Sequence, residues 1–239
     1  RKQRQGWAMT QPGWLHQSMD WRVTSADWCD IRIQRGPNLK RYSPSAASCP
    51  HGTWGTFLHG WGPPKNRPMR RHWSAATATR DGIPSARIVL LKGADKNGFS
   101  FYSNYLSRKG KELAKNPSAC LVFFWPELGR QVRIEGKILK LSKEESEAYF
   151  ASRPFGSQLG AIVSPQSQVI ANREVLDVAY TAYEQKFEGK KIPKPAHWGG
   201  YILNPIAIEF WQGRESRLHD RVKYVLMEKG KWKIERLAP

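Results

Sequence analysis

Acidic residues are scarce where this chain begins: the first Glu is Glu112, and residues 1–72 hold twelve Lys or Arg against three Asp. That imbalance sets the first third apart from the rest. Cysteine is also scarce, with Cys29, Cys49 and Cys120 far apart in sequence and no CxxC or His-paired spacing. This excludes a disulfide framework and a zinc site, and reads as a protein of a reducing compartment, the cytosol. No run of eighteen apolar residues occurs, so no membrane-spanning helix is expected, and no basic start leads into an apolar block as in a secretory signal. What is present is positive charge, +19 overall with a pI near 10.1, on 239 residues that are 40% hydrophobic and 12% aromatic. One substantial core is affordable, as one β-rich domain or two small ones. The charge attracts polyanions, leaving nucleic acid and phosphorylated small molecules both open.

Residues 1–72 contain six of the eleven tryptophans, seven prolines and seven glycines, with no sustained helical or alternating period. Trp7, Trp14, Trp21 and Trp28 recur every seven residues, but Pro12 and Gly13 interrupt any helical seam. The segment is read as disordered or aberrant, as from a wrong exon or reading frame, and the start at Arg1 suits a fragment. From Trp73 the sequence alternates and is punctuated by turns. Strands are expected at 75–79 and 86–93 around Asp81-Gly82, then at 99–103 after Lys96-Asn97-Gly98, as a β-meander. Ser107 caps a short helix that ends near Pro117, and strands follow at 119–125 and 130–141. Ser142 with Glu145 forms a capping box for a helix to about Ala151, and 157–162 suits another short one. Asn172 caps an amphipathic helix, with Val175, Leu176, Ala179, Tyr183 and Phe187 spaced to pack on the sheet. Four further strands are expected at 198–203, 207–212, 218–227 and 232–236. About eight strands and three helices give an α+β, mainly β domain built on an antiparallel barrel.

Several stretches carry chemistry. Ser107-Arg108-Lys109 sets two cations and free N–H groups in a first helical turn, where cations oppose the dipole unless an anion binds; solvated charge is the plainer alternative. Tyr149, Arg153 and Ser157 are spaced by four across a helix end, offering a phenol, a guanidinium and a hydroxyl to a second anion. Arg87 and Lys92 flank an apolar run, and Gln166-Ser167 lies in a loop. In 211–221, WQGRESRLHDR, Arg217 and His219 have the same parity and would share one face of a strand, although a solvated hairpin edge gives the same pattern. Two candidate phosphate sites suggest a phosphorylated cofactor with a phosphorylated substrate, whereas a nucleic acid wants one continuous basic stripe with exposed aromatics.

The motifs ARIVLLKG, FYSNYLSRKGKEL, RQVRIEG, YFASRPFGSQLGA, SPQSQVI, HWGGY, FWQGRESRLHDR and ERLAP occur in order over 75–239. In these the chain resembles the pyridoxine (pyridoxamine) 5'-phosphate oxidase family. The resemblance implies an FMN-binding split β-barrel over 73–239, including a C-terminal dimerisation region, acting as a homodimer with flavin sites between subunits. It implies FMN binding by Arg87, Ile88, Val89, Leu90, Tyr102, Ser103, Arg108, Lys109, Gln131, Gln166, Ser167, Trp211 and Arg221, with Arg108 and Lys109 on the phosphate. Lys92, Tyr149, Arg153 and Ser157 would hold the phosphate of a vitamin B6 substrate, and Arg217 and His219 would meet its ring. The implied activity is oxidation of pyridoxamine and pyridoxine 5'-phosphates by O2, yielding pyridoxal 5'-phosphate and H2O2, with ammonia from the amine. Residues 1–72 show no match to the lid-bearing region that precedes the first strand in that family. The alternatives are a flavin- or pyridoxal-phosphate-binding split barrel with little turnover, and a nucleic-acid binder driven by the basic segment.

Overall fold

The computed structural model describes residues 72–239. The disordered segment expected at 1–72 lies outside them, except that His72 opens strand β1 (His72–Ala78). Gly82 turns the chain at φ +85°, a region that costs a residue with a β-carbon, and donates its N–H to the Thr79 carbonyl at 3.1 Å. Strand β2 (Pro84–Leu90) returns antiparallel, with Arg87 opposite Ala75. The expected strand to Gly93 stops at Leu90, and Gly93–Asp95 forms a separate β3 that pairs with β4 (Gly98–Asn104). Helix α1 (Arg108–Lys115) follows, capped by Ser107 Oγ, which accepts from Gly110 N–H at 3.3 Å. Then come β5 (Ser118–Trp125) and β6 (Arg130–Lys140). Helices α2 (Lys143–Ala151), α3 (Phe155–Val163) and α4 (Glu174–Phe187) precede β7 (Trp198–Gln212), β8 (Asp220–Leu226) and β9 (Trp232–Leu237).

The sheet runs β2-β1-β5-β6-β7-β4-β3, with β8 added beside β7 and β9 beside β8. A meander would keep β2 beside β3 and β4, but β4 pairs with β7 instead, so the turn at Leu91-Lys92 carries the chain between sheet edges. The sheet curls enough for β2 and β4 to approach again. This is a mainly β split barrel with peripheral helices. Its interior is aromatic: Trp73 stacks on Phe123 at 4.3 Å, Phe123 on Trp125 at 5.6 Å, and Phe99 meets Trp73 edge-on at 5.9 Å. Removing such a ring, as in Phe123→Ala, costs about 3–5 kcal/mol.

One strand replaces the two expected at 198–203 and 207–212. Glu135 faces Ala207 while Gly136 faces Pro205, leaving Ile206 as the extra residue of a β-bulge. The bulge inverts the alternation: Tyr201 and Leu203 are buried before it, Ile208 and Phe210 after it. Gly136 is required there, because a β-carbon would sit 2.2 Å from the Asn204 carbonyl oxygen. The capping box joins Ser142 and Glu145 as expected. Asn172 Oδ1 caps α4 through Val175 N–H at 3.2 Å. None of that helix's residues is buried. Its Tyr180, Tyr183 and Phe187 join a second cluster around Phe150, Leu159, Ile192 and Trp198, so it reaches the sheet at the start of β7 and not at the main core.

Candidate functional site

The start of α1 turns its cations in two directions. Lys109 points inward and is 7% exposed, its Nζ donating to Ser103 Oγ at 2.7 Å, Gln166 Oε1 at 3.3 Å and Ser107 Oγ at 3.4 Å. All three acceptors are neutral. Burial, reinforced by the charge of Arg87, lowers its pKa to about 8. Arg108 stays nearer solvent, its Nε 2.9 Å from Glu112 Oε1. From β2, Arg87 reaches the Ala75 carbonyl at 3.2 Å, the hydroxyls of Thr77 and Ser85, and Glu112 Oε2 at 3.4 Å. Burial alone would raise the Glu112 pKa, but hydrogen bonds from Ser85, Thr77 and Arg108 and the charge of Arg87 hold it down at about 2. Two guanidiniums thus share the one carboxylate while Lys109 has none, which leaves the cradle positive. A buried ammonium with only neutral acceptors fits an anion such as a phosphate.

The structure therefore brings together Arg87, Ser103, Arg108, Lys109 and Gln166, while Ser167 follows Gln166 on exposed backbone at φ +69°. Val89 is buried in the core, and Ile88 and Leu90 project outward at 62% and 41% exposure. A second set, Gln131, Trp211 and Arg221, forms a lateral row across β6, β7 and β8. This row lies on the other face of the sheet. Arg87 is in register with the buried Ala75, Leu121, Ile134 and Ile208, and Gln131 and Trp211 are out of phase with that series. Arg221 already has partners: its Nε is 2.7 Å from Glu209 Oε1, and its Nη1 donates to the Ala238 carbonyl at 3.0 Å. Glu209, 4% exposed, also meets Arg133 Nη2 at 2.8 Å.

Around Tyr102 a third group assembles. The Tyr102 ring stacks on Tyr149 at 3.9 Å and on Trp198 at 5.5 Å, and Lys92 Nζ lies 5.6 Å from the Tyr149 ring centre. The Arg153 guanidinium sits 4.7 Å over Trp198, and its buried Nη1 has no hydrogen-bond partner among the described residues. Burial lowers the Arg153 pKa. Ser157 lies in the exposed first turn of α3, its N–H donating to the Pro154 carbonyl at 2.9 Å. Lys92, Tyr149 and Arg153 thus converge on one aromatic platform with an unsatisfied donor.

The β7–β8 connection corrects the shared-face reading of Arg217 and His219. Neither residue is on a strand: Glu215–Arg217 makes one tight helical turn, and β8 begins at Asp220. Ser216 and Arg217 take φ +53° and +59°, so the two-residue alternation does not apply. Arg217 is exposed. His219 lies 4.7 Å from the Trp211 ring, and its Nδ1 accepts Arg214 N–H at 3.1 Å, which puts the proton of the neutral imidazole on Nε2. Asp220 ties the turn down through Arg214 Nε at 2.8 Å and Arg236 Nη1 at 2.7 Å. Glu112, Glu209, Trp198 and Asp220 escaped the sequence reading. Glu209 and Asp220 lie within or beside the quoted 211–221 stretch and Trp198 is the second residue of HWGGY, so those positions carried a signal, whereas Glu112 looks like an ordinary helical acid.

Residues 70–187 match the sequence model described as pyridoxamine 5'-phosphate oxidase, and residues 198–239 match that of the pyridoxine 5'-phosphate oxidase C-terminal dimerisation region. A pyridoxine/pyridoxamine 5'-phosphate oxidase from Acaryochloris marina is 60% identical over 164 residues, covering 69% of this chain and 74% of that protein. Its counterpart from a Nostoc species is 58% identical, covering 69% and 77%. Among solved structures, PhzG from Burkholderia lata in complex with tetrahydrophenazine-1-carboxylic acid is similar at a TM-score of 0.67 and 31% identity, over 71% of this chain and 82% of its own. A pyridoxamine 5'-phosphate oxidase-related, FMN binding protein from Nostoc punctiforme shares the fold at a TM-score of 0.60 and 17% identity, over 71% and 88%.

Proposed function

The chain belongs to the pyridoxamine 5'-phosphate oxidase family, and from that premise we propose that it binds FMN and oxidises pyridoxamine and pyridoxine 5'-phosphates to pyridoxal 5'-phosphate. The observation that carries this reading is Lys109, a buried cation whose hydrogen bonds end on neutral oxygens beside Arg87. A flavin phosphate dianion supplies the missing counter-charge, with Arg87 and Arg108 beside it and Ser103, Gln166 and Ser167 completing the pocket. Bound FMN would contribute the redox chemistry, taking a hydride from C4' of the substrate and passing two electrons to O2 as H2O2.

The protein's own part is to bind and orient. Arg153 has a free donor for a second phosphate, with Lys92 and Tyr149 on the same aromatic platform and Ser157 assigned to that phosphate by the family motif. Arg217, reaching out from its turn, clamps the pyridine ring, and His219 donates from Nε2 to a ring substituent. Neither acts as a general base. The imine left from the amine is hydrolysed by water to the aldehyde and ammonia.

The proposal includes a homodimer, which the geometry of the two faces supports. Gln131, Trp211 and Arg221 lie on the opposite sheet face from Arg87, so one flavin reaches both sets only when a second copy presents its outward row to the cradle. The match of 198–239 to a dimerisation region supports the same arrangement. We place the enzyme in the cytosol, and among the described residues no helix is long and apolar enough to cross a membrane.

Two measurements test this reading. Aerobic incubation with pyridoxamine 5'-phosphate should give stoichiometric H2O2 and pyridoxal 5'-phosphate; a yellow, FMN-loaded protein giving neither is a binding protein instead. In rapid-reaction reduction of the bound flavin at saturating substrate, Arg217→Ala should slow reduction by about 100-fold, in line with the loss of an orienting contact. Reduction at the parent rate would remove Arg217 from the catalytic assignment.

A further inference from the structure

Glu112 is a buried carboxylate with no part in the chemistry proposed above. It is 5% exposed, and its two oxygens collect donors from three elements: Arg108 Nε at 2.9 Å on α1, Ser85 Oγ at 2.6 Å and Arg87 Nη2 at 3.4 Å on β2, and Thr77 Oγ1 on β1. Arg87 is bonded in turn to Thr77, Ser85 and the Ala75 carbonyl. Neutralising one cation would need no such network. Here a single carboxylate is shared by two guanidiniums, both beside Lys109 in the cradle.

We propose that Glu112 is a positioning residue for the flavin phosphate: without touching the anion, it fixes Arg87 and Arg108 so that their remaining N–H groups address the same phosphate as Lys109. The inference rests on the cradle being the FMN phosphate site. Its physical basis is preorganisation. A long cationic side chain loses rotamer freedom when it clamps an anion, and a chain already held by Glu112 has lost that freedom during folding. Charge alone acts the other way, since a carboxylate repels a phosphate and its removal should tighten binding. Position and charge therefore predict opposite signs for one substitution.

The test titrates the flavin-free full-length protein with FMN and with riboflavin, which lacks the phosphate, following flavin fluorescence. The parent should prefer FMN by at least about 100-fold, the scale of several charge-assisted hydrogen bonds. Glu112→Gln should weaken FMN by about 10- to 100-fold and leave riboflavin within about twofold. Glu112→Asp keeps the charge but shortens the reach to both arginines, and should lose FMN selectively as well. Glu112→Gln binding FMN as tightly as the parent, or more tightly, overturns the proposal. Equal loss of both flavins in both variants, including loss through misfolding, overturns it too, because Glu112 would then serve only the fold. A parent that shows no preference for FMN over riboflavin refutes the phosphate reading itself, a result separate from either outcome for the variants.

Discussion

The two regions proposed to bind anions are built in contrasting ways. Around α1 the cations are held before any ligand arrives: Lys109 on Ser103 and Gln166, Arg87 on four partners, Arg108 on Glu112. Around Tyr149 and the β7–β8 turn the groups are waiting. Arg153 Nη1 has no partner among the described residues, Lys92 and Arg217 are exposed, and Arg217 sits on a backbone in the left-handed region. A preformed cradle suits a cofactor that stays through many turnovers, because the cost of order falls once, at folding. A loosely held set suits a substrate that must enter and a product that must leave.

The largest effect should come from emptying the cradle of its buried charge. Lys109→Met is expected to weaken FMN by about 100-fold or more, with riboflavin and substrate affinity nearly unchanged, measured by fluorescence titration. If FMN binds as before, the contrast between the regions loses its cofactor half. Next, Arg153→Ala should raise the KM for pyridoxamine 5'-phosphate by about 30-fold while FMN affinity stays within about twofold. Comparable losses of both ligands would show one coupled site rather than two.

The pH dependence separates the regions by about tenfold per unit. Lys109 in the flavin-free protein titrates near 8, below its ordinary 10.5. Below pH 8 it is already charged and FMN binding is flat; above pH 8 binding must take up a proton, so FMN affinity falls by up to about tenfold per pH unit. Riboflavin titrations should lack that limb. For stability the sign reverses: between about 8 and 10.5 the unfolded chain binds the extra proton, so the flavin-free protein gains stability as pH rises through that window. The smallest effect belongs to the strained turn. Ser216→Gly relieves a φ of +53° and should raise Tm by about 2–3 °C, equivalent to about 1 kcal/mol, with a modest loss in flavin reduction rate as Arg217 gains freedom.

The sequence carried the elements whose cause is local. The Asp81-Gly82 turn, the Ser107 cap and the Ser142–Glu145 box depend on neighbours within a few residues, and each stands in the structure. The grouping of Ser103, Arg108, Lys109 and Gln166 followed from motif resemblance; hydrogen bonds join Ser103, Lys109 and Gln166, while Arg108 pairs with Glu112. What stayed hidden depends on distant partners. Ile206 becomes a bulge only because β6 passes with a different residue count, and parity reasoning cannot see a neighbour's register. Glu112 looks like a solvated helical acid until the curled sheet lays Thr77 and Ser85 over it. Arg217 and His219 were misplaced for another reason: parity presumes extended backbone, and Ser216 and Arg217 are not extended. The helix at Asn172 was legible, but its partner was not, since amphipathic spacing says that a face is covered and not by what.

The extra residue at Ile206 has a consequence for how this protein tolerates change. The interior reads odd positions of β7 before it and even positions after it, so which side chains meet the core is set by counting, not by chemistry. Deleting Ile206 alone would remove the bulge and leave Ile208 and Phe210 facing inward opposite Ile134 and Val132, whereas deleting Glu209 with the bulge kept would turn Phe210 outward and Trp211 towards the core. A gap of one residue anywhere in the strand but at the bulge is therefore a change of address for the residues beyond it, and sequence drift can alter its letters far more freely than its length.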